Sequence, residues 1–309
     1  MTKASFMNTS EKQSKEQSQE PEPDPTVDKF GEALNATRFR MLEDIARELA
    51  GEVVFPTYFD AALRLRKELQ NPDLPTARIA KIVGIEPLTA AKLMQLANSA
   101  FYSPDGSKAK DLRAAIDRLG IDVVRTTALA IAMSQLLHSK DMAIFSNLAG
   151  ALWDHSIRTA AAARILARTY TRINPDEALL AGLVHDLGAF YMLYRAVQYP
   201  ELLLRPDTVK YIIMRWHEGV GVTLLNVLGM PEEIVNATID HDQPRPVLST
   251  VRTLSDIVYV GNVIAGTHFE WSQQDSDLDA GDAVAIRQNF KDLMPEVEAD
   301  TVEMLSVFK

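Results

Sequence analysis

Residues 174–194 read NPDEALLAGLVHDLGAFYMLY, a capped and almost wholly apolar helical stretch that carries His185 and Asp186 side by side. Its start is well specified. Asn174 offers an oxygen to the first free N–H groups, and Pro175 takes the first helical position, where its missing N–H costs nothing. Asp176 and Glu177 complement the positive end of the helix dipole. Beyond Glu177, every residue up to Tyr194 other than His185 and Asp186 is Ala, Leu, Val, Gly, Phe, Tyr or Met. A helix that is apolar on all sides belongs inside its domain. A carboxylate buried there without a partner costs on the order of several kcal/mol, so Asp186 requires a cation, a metal or a set of donors nearby. Neighbouring residues on a regular helix point about 100° apart. His185 and Asp186 can therefore share a centre only at a helix distortion, and Gly182 and Gly188 flank them.

Outward from this stretch the pattern stays helical. Helices are expected at 59–69, 76–83, 88–97, 112–119 and 123–137, then at 151–169, 208–228, 232–239 and 250–264. Turn signals such as Asn71-Pro72-Asp73, Glu86-Pro87 and Ser103-Pro104-Asp105-Gly106 separate them. No period-two alternation or hairpin turn appears, so the expected fold class is all-α. Residues 1–36 are rich in Ser, Gln, Glu, Lys and Pro, too polar to bury a core, and are expected to form a disordered tail. Residues 273–309 are acidic and weakly amphipathic, expected as a loop and a terminal helix lying on the surface.

Composition narrows the function. The chain of 309 residues contains no cysteine, which excludes a disulfide framework and thiolate metal sites. The first residues lack an apolar signal region and no run of about 18 apolar residues occurs, so no membrane segment and a cytoplasmic location are expected. A net charge of −10 argues against a broad nucleic-acid surface. The short helices of 76–97 suggest a helix-turn-helix, but Lys81 and Lys92 make too sparse a basic face for one.

The chemistry points to a metal. On its helix, His155 shares the apolar side with Thr159, Ala162 and Leu166, opposite Asp154, Arg158, Arg164 and Arg168, and so points inward. Asp256 comes from a later apolar helix. A His, a His-Asp pair and an Asp on separate helices form a ligand set for Zn, Fe, Mn or Mg. Such an ion acidifies bound water and polarises a phosphoryl oxygen. Plainer readings stand beside this one. An inward histidine is ordinarily a packed core residue, His155 with Arg side chains could satisfy Asp186 without a metal, and Asp256 could pair with Arg252 four residues earlier. His138 and His268 read as surface or loop residues with no role.

Gly182-Leu183-Val184-His185-Asp186-Leu187-Gly188 resembles the signature of the HD superfamily of metal-dependent phosphohydrolases, and more closely its signalling branch, the HD-related output domain (HDOD). Phe55-Pro56-Thr57, the run from Ala80 to Thr89, Leu96-Ala97-Asn98-Ser99-Ala100-Phe101-Tyr102 and Ala115-Ile116-Asp117-Arg118-Leu119-Gly120 are similar to successive motifs of that family. Trp153-Asp154-His155-Ser156, His217 with Gly221 and Leu225, Gly229-Met230-Pro231 and His241 complete the series. The resemblance implies an N-terminal helical lobe (37–148) packed against an HD-type bundle (149–272), with His217 and His241 as further candidate metal ligands. It also implies an output or scaffold module of bacterial signalling that engages signalling proteins, with a metal-dependent phosphohydrolase as the alternative. Relatives that hydrolyse cyclic di-GMP carry a Lys after the His-Asp-x-Gly run and a Gly-Tyr-Pro motif. Here Ala189 stands at the first position, and Gln243-Pro244-Arg245-Pro246 follows His241-Asp242.

Overall fold

Where the apolar periodicity runs on, helices form, and Pro stands in the first turn of several of them. The computed structural model describes residues 32–50, 67–69, 71, 74–85, 87–266 and 280–308. Its helices are α1 (Glu32–Ala50), α2 (Thr76–Val83), α3 (Pro87–Ala97), α4 (Leu112–Leu137), α5 (Ser146–Tyr170), α6 (Pro175–Val184) and α7 (Leu187–Ala196). They continue with α8 (Pro200–Leu203), α9 (Pro206–Val227), α10 (Glu232–Ala237), α11 (Leu254–Ala265), α12 (Ala280–Asn289) and α13 (Met294–Phe308). No strand occurs among the described residues, and the fold is all-α. Phe55-Pro56-Thr57, the expected helix at 59–69 as far as residue 66, His268 and residues 1–31 and 273–279 lie outside the described residues. The expected tail is corrected at one end: α1 begins at Glu32.

Two breaks matter. In α4, Gly120 takes φ 78°, ψ 164°, so the two helices expected at 112–119 and 123–137 meet there at an angle. Among the described helices, Leu112–Leu137 alone has the length and hydropathy of a membrane span, yet 72% of that window is buried inside the protein. The second break is in the opening stretch. The single helix expected over 174–194 is two helices, with His185 and Asp186 in the turn between α6 and α7. The cap is as expected, Asn174 accepting from the Asp176 N–H at 3.0 Å.

Small residues set how closely the central helices approach. A Cβ on Gly182 would lie 2.8 Å from the Ala160 Cα, so α6 crosses α5 backbone to backbone. A Cβ on Gly188 would lie 1.9 Å from the His217 carbonyl oxygen and 2.5 Å from the Gly221 nitrogen. No side chain bends out of that contact, because its partner atoms are backbone. Gly188→Ala is therefore expected to force α7 and α9 apart and to lower stability by roughly 1–3 kcal/mol. Urea denaturation of the variant tests this, and an unchanged midpoint would show that the crossing tolerates a methyl group.

One main core runs from Met41 in α1 to Phe308 in α13 and draws residues from both ends of the chain. The N-terminal helices are tied to the bundle by polar contacts as well. Tyr191 donates to Glu48 at 2.7 Å, Arg195 pairs with Glu48, and Tyr199 donates to Asp44 at 2.5 Å. In the Asn98–Tyr102 turn, Asn98 accepts from the Ala109 N–H at 2.7 Å, and Tyr102 donates to Asp176 at 2.7 Å. Burial pushes the Tyr102 hydroxyl well above its usual pKa range, which keeps it a donor.

The C-terminal helix departs from expectation. Rather than lying on the surface, α13 buries Val297, Asp300, Thr301, Met304, Val307 and Phe308 against the bundle. It covers the charged side of α5: Arg158 pairs with Glu298, Arg168 with Glu296, and Arg164 with Asp300. Arg164 is left 2% exposed.

Candidate metal centre

Four histidines and one carboxylate converge where α5, the α6–α7 turn, α9 and the segment after α10 meet. His155 projects from α5, His185 and Asp186 from the turn, His217 from α9, and His241 from just beyond α10. A regular helix would send His185 and Asp186 in different directions. The backbone at Asp186, φ −100°, ψ 16°, breaks the helix and lets both side chains reach one centre. A similar device follows α10. Asp240 adopts φ 57°, and the next two residues, His241 and Asp242, both turn toward the same place. Short polar residues such as Asp tolerate that left-handed conformation better than most.

The ligand atoms form two groups that share Asp186: His155, His185 and Asp186, and Asp186, His217 and His241. One carboxylate oxygen, Oδ2, lies 3.2 Å from His185 Nε2 and 3.8 Å from His155 Nε2. The other, Oδ1, lies 3.2 Å from His241 Nε2 and 3.5 Å from His217 Nε2. Within each group the two imidazole Nε2 atoms face each other at 3.2 Å. All five residues are deeply buried, Asp186 and His241 completely.

The far side of the rings decides what these atoms are. His185 Nδ1 donates to the Gly182 carbonyl at 2.8 Å, His217 Nδ1 to Ile213 at 2.9 Å, and His241 Nδ1 to Thr238 at 2.7 Å. A carbonyl can only accept, so each Nδ1 carries the hydrogen and a neutral ring presents a bare lone pair at Nε2. Lone pairs and a carboxylate pointed at one another repel unless protons or metal cations stand among them. Backbone carbonyls orienting imidazoles in this way are the usual outer support of metal ligands. Burial works against a charged ring at His241, yet Asp242 and Asp186 outweigh it and raise the pKa to about 10. The same contest raises His217, through Asp242 and then Asp186. A field that holds protons so firmly also attracts a divalent cation, so the donor set fits such an ion.

The remaining sequence candidates sort clearly. His155, His185 and Asp186 come together as expected, and His217 and His241 join them. Asp256 is placed elsewhere. Its Oδ2 accepts from the Arg252 and Thr253 N–H groups, both at 3.0 Å, as the third residue of a capping box that starts α11. The contact with Arg252 runs through that residue's backbone. His138 is exposed and holds the Ser134 carbonyl at 2.7 Å. Asp242 and Asn262 are the residues that sequence reasoning passed over. Asp242 was readable as a second His-Asp pair, whereas nothing in the pattern of α11 marks Asn262.

A family model of the HDOD domain matches residues 55–244. No curated protein matches the chain in sequence. Among solved structures, a candidate metal-dependent phosphohydrolase from Shewanella amazonensis SB2B is similar with a TM-score of 0.68 and 20% identity, covering 89% of this chain and 100% of its own. An HDOD domain protein of unknown function from Geobacter sulfurreducens has a TM-score of 0.52 and 19% identity, covering 86% and 98%. A candidate signal transduction protein from Marinobacter aquaeolei VT8 has a TM-score of 0.50 and 19% identity, covering 87% and 66%. At these identities the likeness is one of fold.

Proposed function

The chain belongs to the HDOD family, and from that premise we propose that it is a non-catalytic output or scaffold module of bacterial signal transduction, built around a buried divalent-metal centre. Its partners on this reading are signalling proteins in the cytoplasm, met through the surfaces of the helical lobes. The carrying observation is the closure of the centre. Each of the five converging ligands is at most 4% exposed, and Ala189, where the cyclic di-GMP hydrolases of the superfamily have Lys, is itself fully buried. His155, His185 and Asp186 would hold one ion, and Asp186, His217 and His241 the other. The bound ions, of Fe, Mn, Zn or Mg, would supply charge that satisfies Asp186 and fixes the junction of α5, α6, α7 and α9.

A metal-dependent phosphohydrolase is the second reading, favoured by the shared carboxylate. Paired ions bridged by one carboxylate are a known arrangement for activating water and polarising a phosphate ester. That chemistry also needs cationic or hydrogen-bonding groups at the transferring phosphoryl, and losing one such contributor typically costs about a hundredfold or more. The expected result is no appreciable turnover of cyclic dinucleotides by protein supplied with Mn, Fe, Mg or Zn. Metal-dependent hydrolysis that disappears in His185→Ala would replace the module by the enzyme.

A further inference from the structure

We propose that Asp242 is a further protein ligand on the His217–His241 half of the centre, that Asn262 holds it in place, and that this half is thereby closed to exogenous anions. The proposal rests on the metal-binding reading above. Asp242 Oδ2 lies 3.3 Å from His217 Nε2 and 3.8 Å from His241 Nε2. With metal–ligand bonds of about 2.1 Å, neighbouring ligand atoms stand about 3.0 Å apart in an octahedron and about 3.4 Å apart in a tetrahedron. The triangle of Asp186 Oδ1, His217 Nε2 and His241 Nε2 has sides of 3.5, 3.2 and 3.2 Å, which are edges of that size. Asp242 Oδ2 is placed to add a fourth donor beside the two imidazoles.

The other carboxylate oxygen is tethered. Asp242 Oδ1 accepts from Asn262 Nδ2 at 2.8 Å, and the same amide nitrogen donates to the His241 carbonyl at 3.1 Å. Asn262, on α11 and 8% exposed, thus grips the His241-Asp242 turn at two points and leaves Oδ2 to face the rings. With its amide hydrogens engaged in this way, the Asn262 nitrogen is a support and not a ligand. Metal sites that carry out hydrolysis keep a coordination position open, and sites with a structural role fill it with protein. Asp242 is the member of the cluster that meets solvent, its side chain 35% exposed. Its neighbours Asp240 and Gln243 line an open polar hollow of about 550 Å³ that also includes Arg245. Taking away the Asp242 carboxylate would therefore open a position that small anions can reach, while the imidazoles stay buried.

The test uses the full chain loaded with Co(II), followed by metal analysis and by the visible Co(II) absorbance with and without azide. Wild-type protein is expected to bind one ion in each half and to change little with azide. Asp242→Ala should weaken the second ion at least tenfold and gain an azide-dependent absorbance change. Asn262→Ala should weaken that ion by about 10–100-fold with the first unaffected, as loss of an outer support does. Should Asp242→Ala fail to fold, Asp242→Asn keeps the size of the side chain and gives the same readout. A variant at Asp242 with wild-type Co(II) affinity and no response to azide would overturn the assignment of the ligand. Wild-type affinity and spectrum in Asn262→Ala would overturn the positioning role. A wild-type protein that binds no Co(II) would remove the metal reading itself, and this proposal with it.

Discussion

Asp186→Ala is expected to abolish metal binding in both halves of the centre at once and to destabilise the fold by about 3 kcal/mol or more. The carboxylate faces four imidazoles, two through each oxygen, at 3.2–3.8 Å. Truncation removes the negative charge shared by both ligand groups and leaves the histidines converging on a void. Breaking a buried charged cluster by deleting one member strands the others without water, which is why the penalty far exceeds that of a surface pair. Asp256→Ala provides the contrast. It removes capping contacts at the start of α11, worth about 1 kcal/mol, and should leave the metal content unchanged. Urea denaturation and elemental analysis of both variants make the comparison. An Asp186→Ala protein with an unchanged midpoint and unchanged metal would contradict the description of the centre.

Arg164→Ala should be about as damaging, at roughly 3–5 kcal/mol, although it lies outside the metal centre. The guanidinium is bidentate to Asp300, with Nε 3.2 Å from Oδ2, and Cζ lies 3.7 Å from the centre of the Phe101 ring. Its NH1 group also donates to the Tyr102 hydroxyl at 3.3 Å. Asp300 is only 6% exposed, so removing Arg164 strands a carboxylate between α5 and α13. Replacing both members by leucine should recover most of the loss, because apolar pairs of similar volume often match a buried ion pair. Wild-type protein, Arg164→Ala and the double-leucine variant, compared by urea denaturation, test the argument. A loss below about 1 kcal/mol for Arg164→Ala would place the pair among exposed ones.

Arg164 also marks how far the sequence could be read. The helical wheel of α5 placed Arg158, Arg164 and Arg168 together on the side away from His155, and they do lie together. Periodicity divides a helix into faces, but it does not say which distant segment covers one of them. Here α13 brings Glu296, Glu298 and Asp300 onto that side, so Arg164 became interior while Arg158 and Arg168 stay at the solvent-facing rim. The reading of residues 174–194 succeeded for the opposite reason. Apolar residues on every side leave burial as the only outcome, and two adjacent polar residues flanked by glycines require a local break. The structure has that break between Val184 and Leu187.

The site was legible in part, and the Asp residues explain why. Asp256 stands in an apolar helix, which made it a candidate ligand. It also closes a Thr253-x-x-Asp256 pattern, the sequence mark of a capping box, and the local backbone contacts won. Asp242 stands two residues after Asp240, whose left-handed conformation is a backbone feature that no hydrophobic pattern announces. His217 and His241 came from family resemblance, because each stands singly in its segment and their convergence depends on how α9 and α10 pack. Asn262 acts only through Asp242, so its part becomes visible once that carboxylate has been placed.

The most direct test of the buried metal centre is elemental analysis of untagged protein purified without chelator, paired with its melting temperature before and after the metal is stripped. Two divalent ions per chain are expected, one for each ligand group that Asp186 joins. Stripping them should lower the melting temperature, and restoring the metal should raise it again, since an ion that binds only the folded state stabilises it. A protein that carries no metal, and whose melting temperature stays the same when Mn, Fe, Zn or Mg is added, would contradict the account.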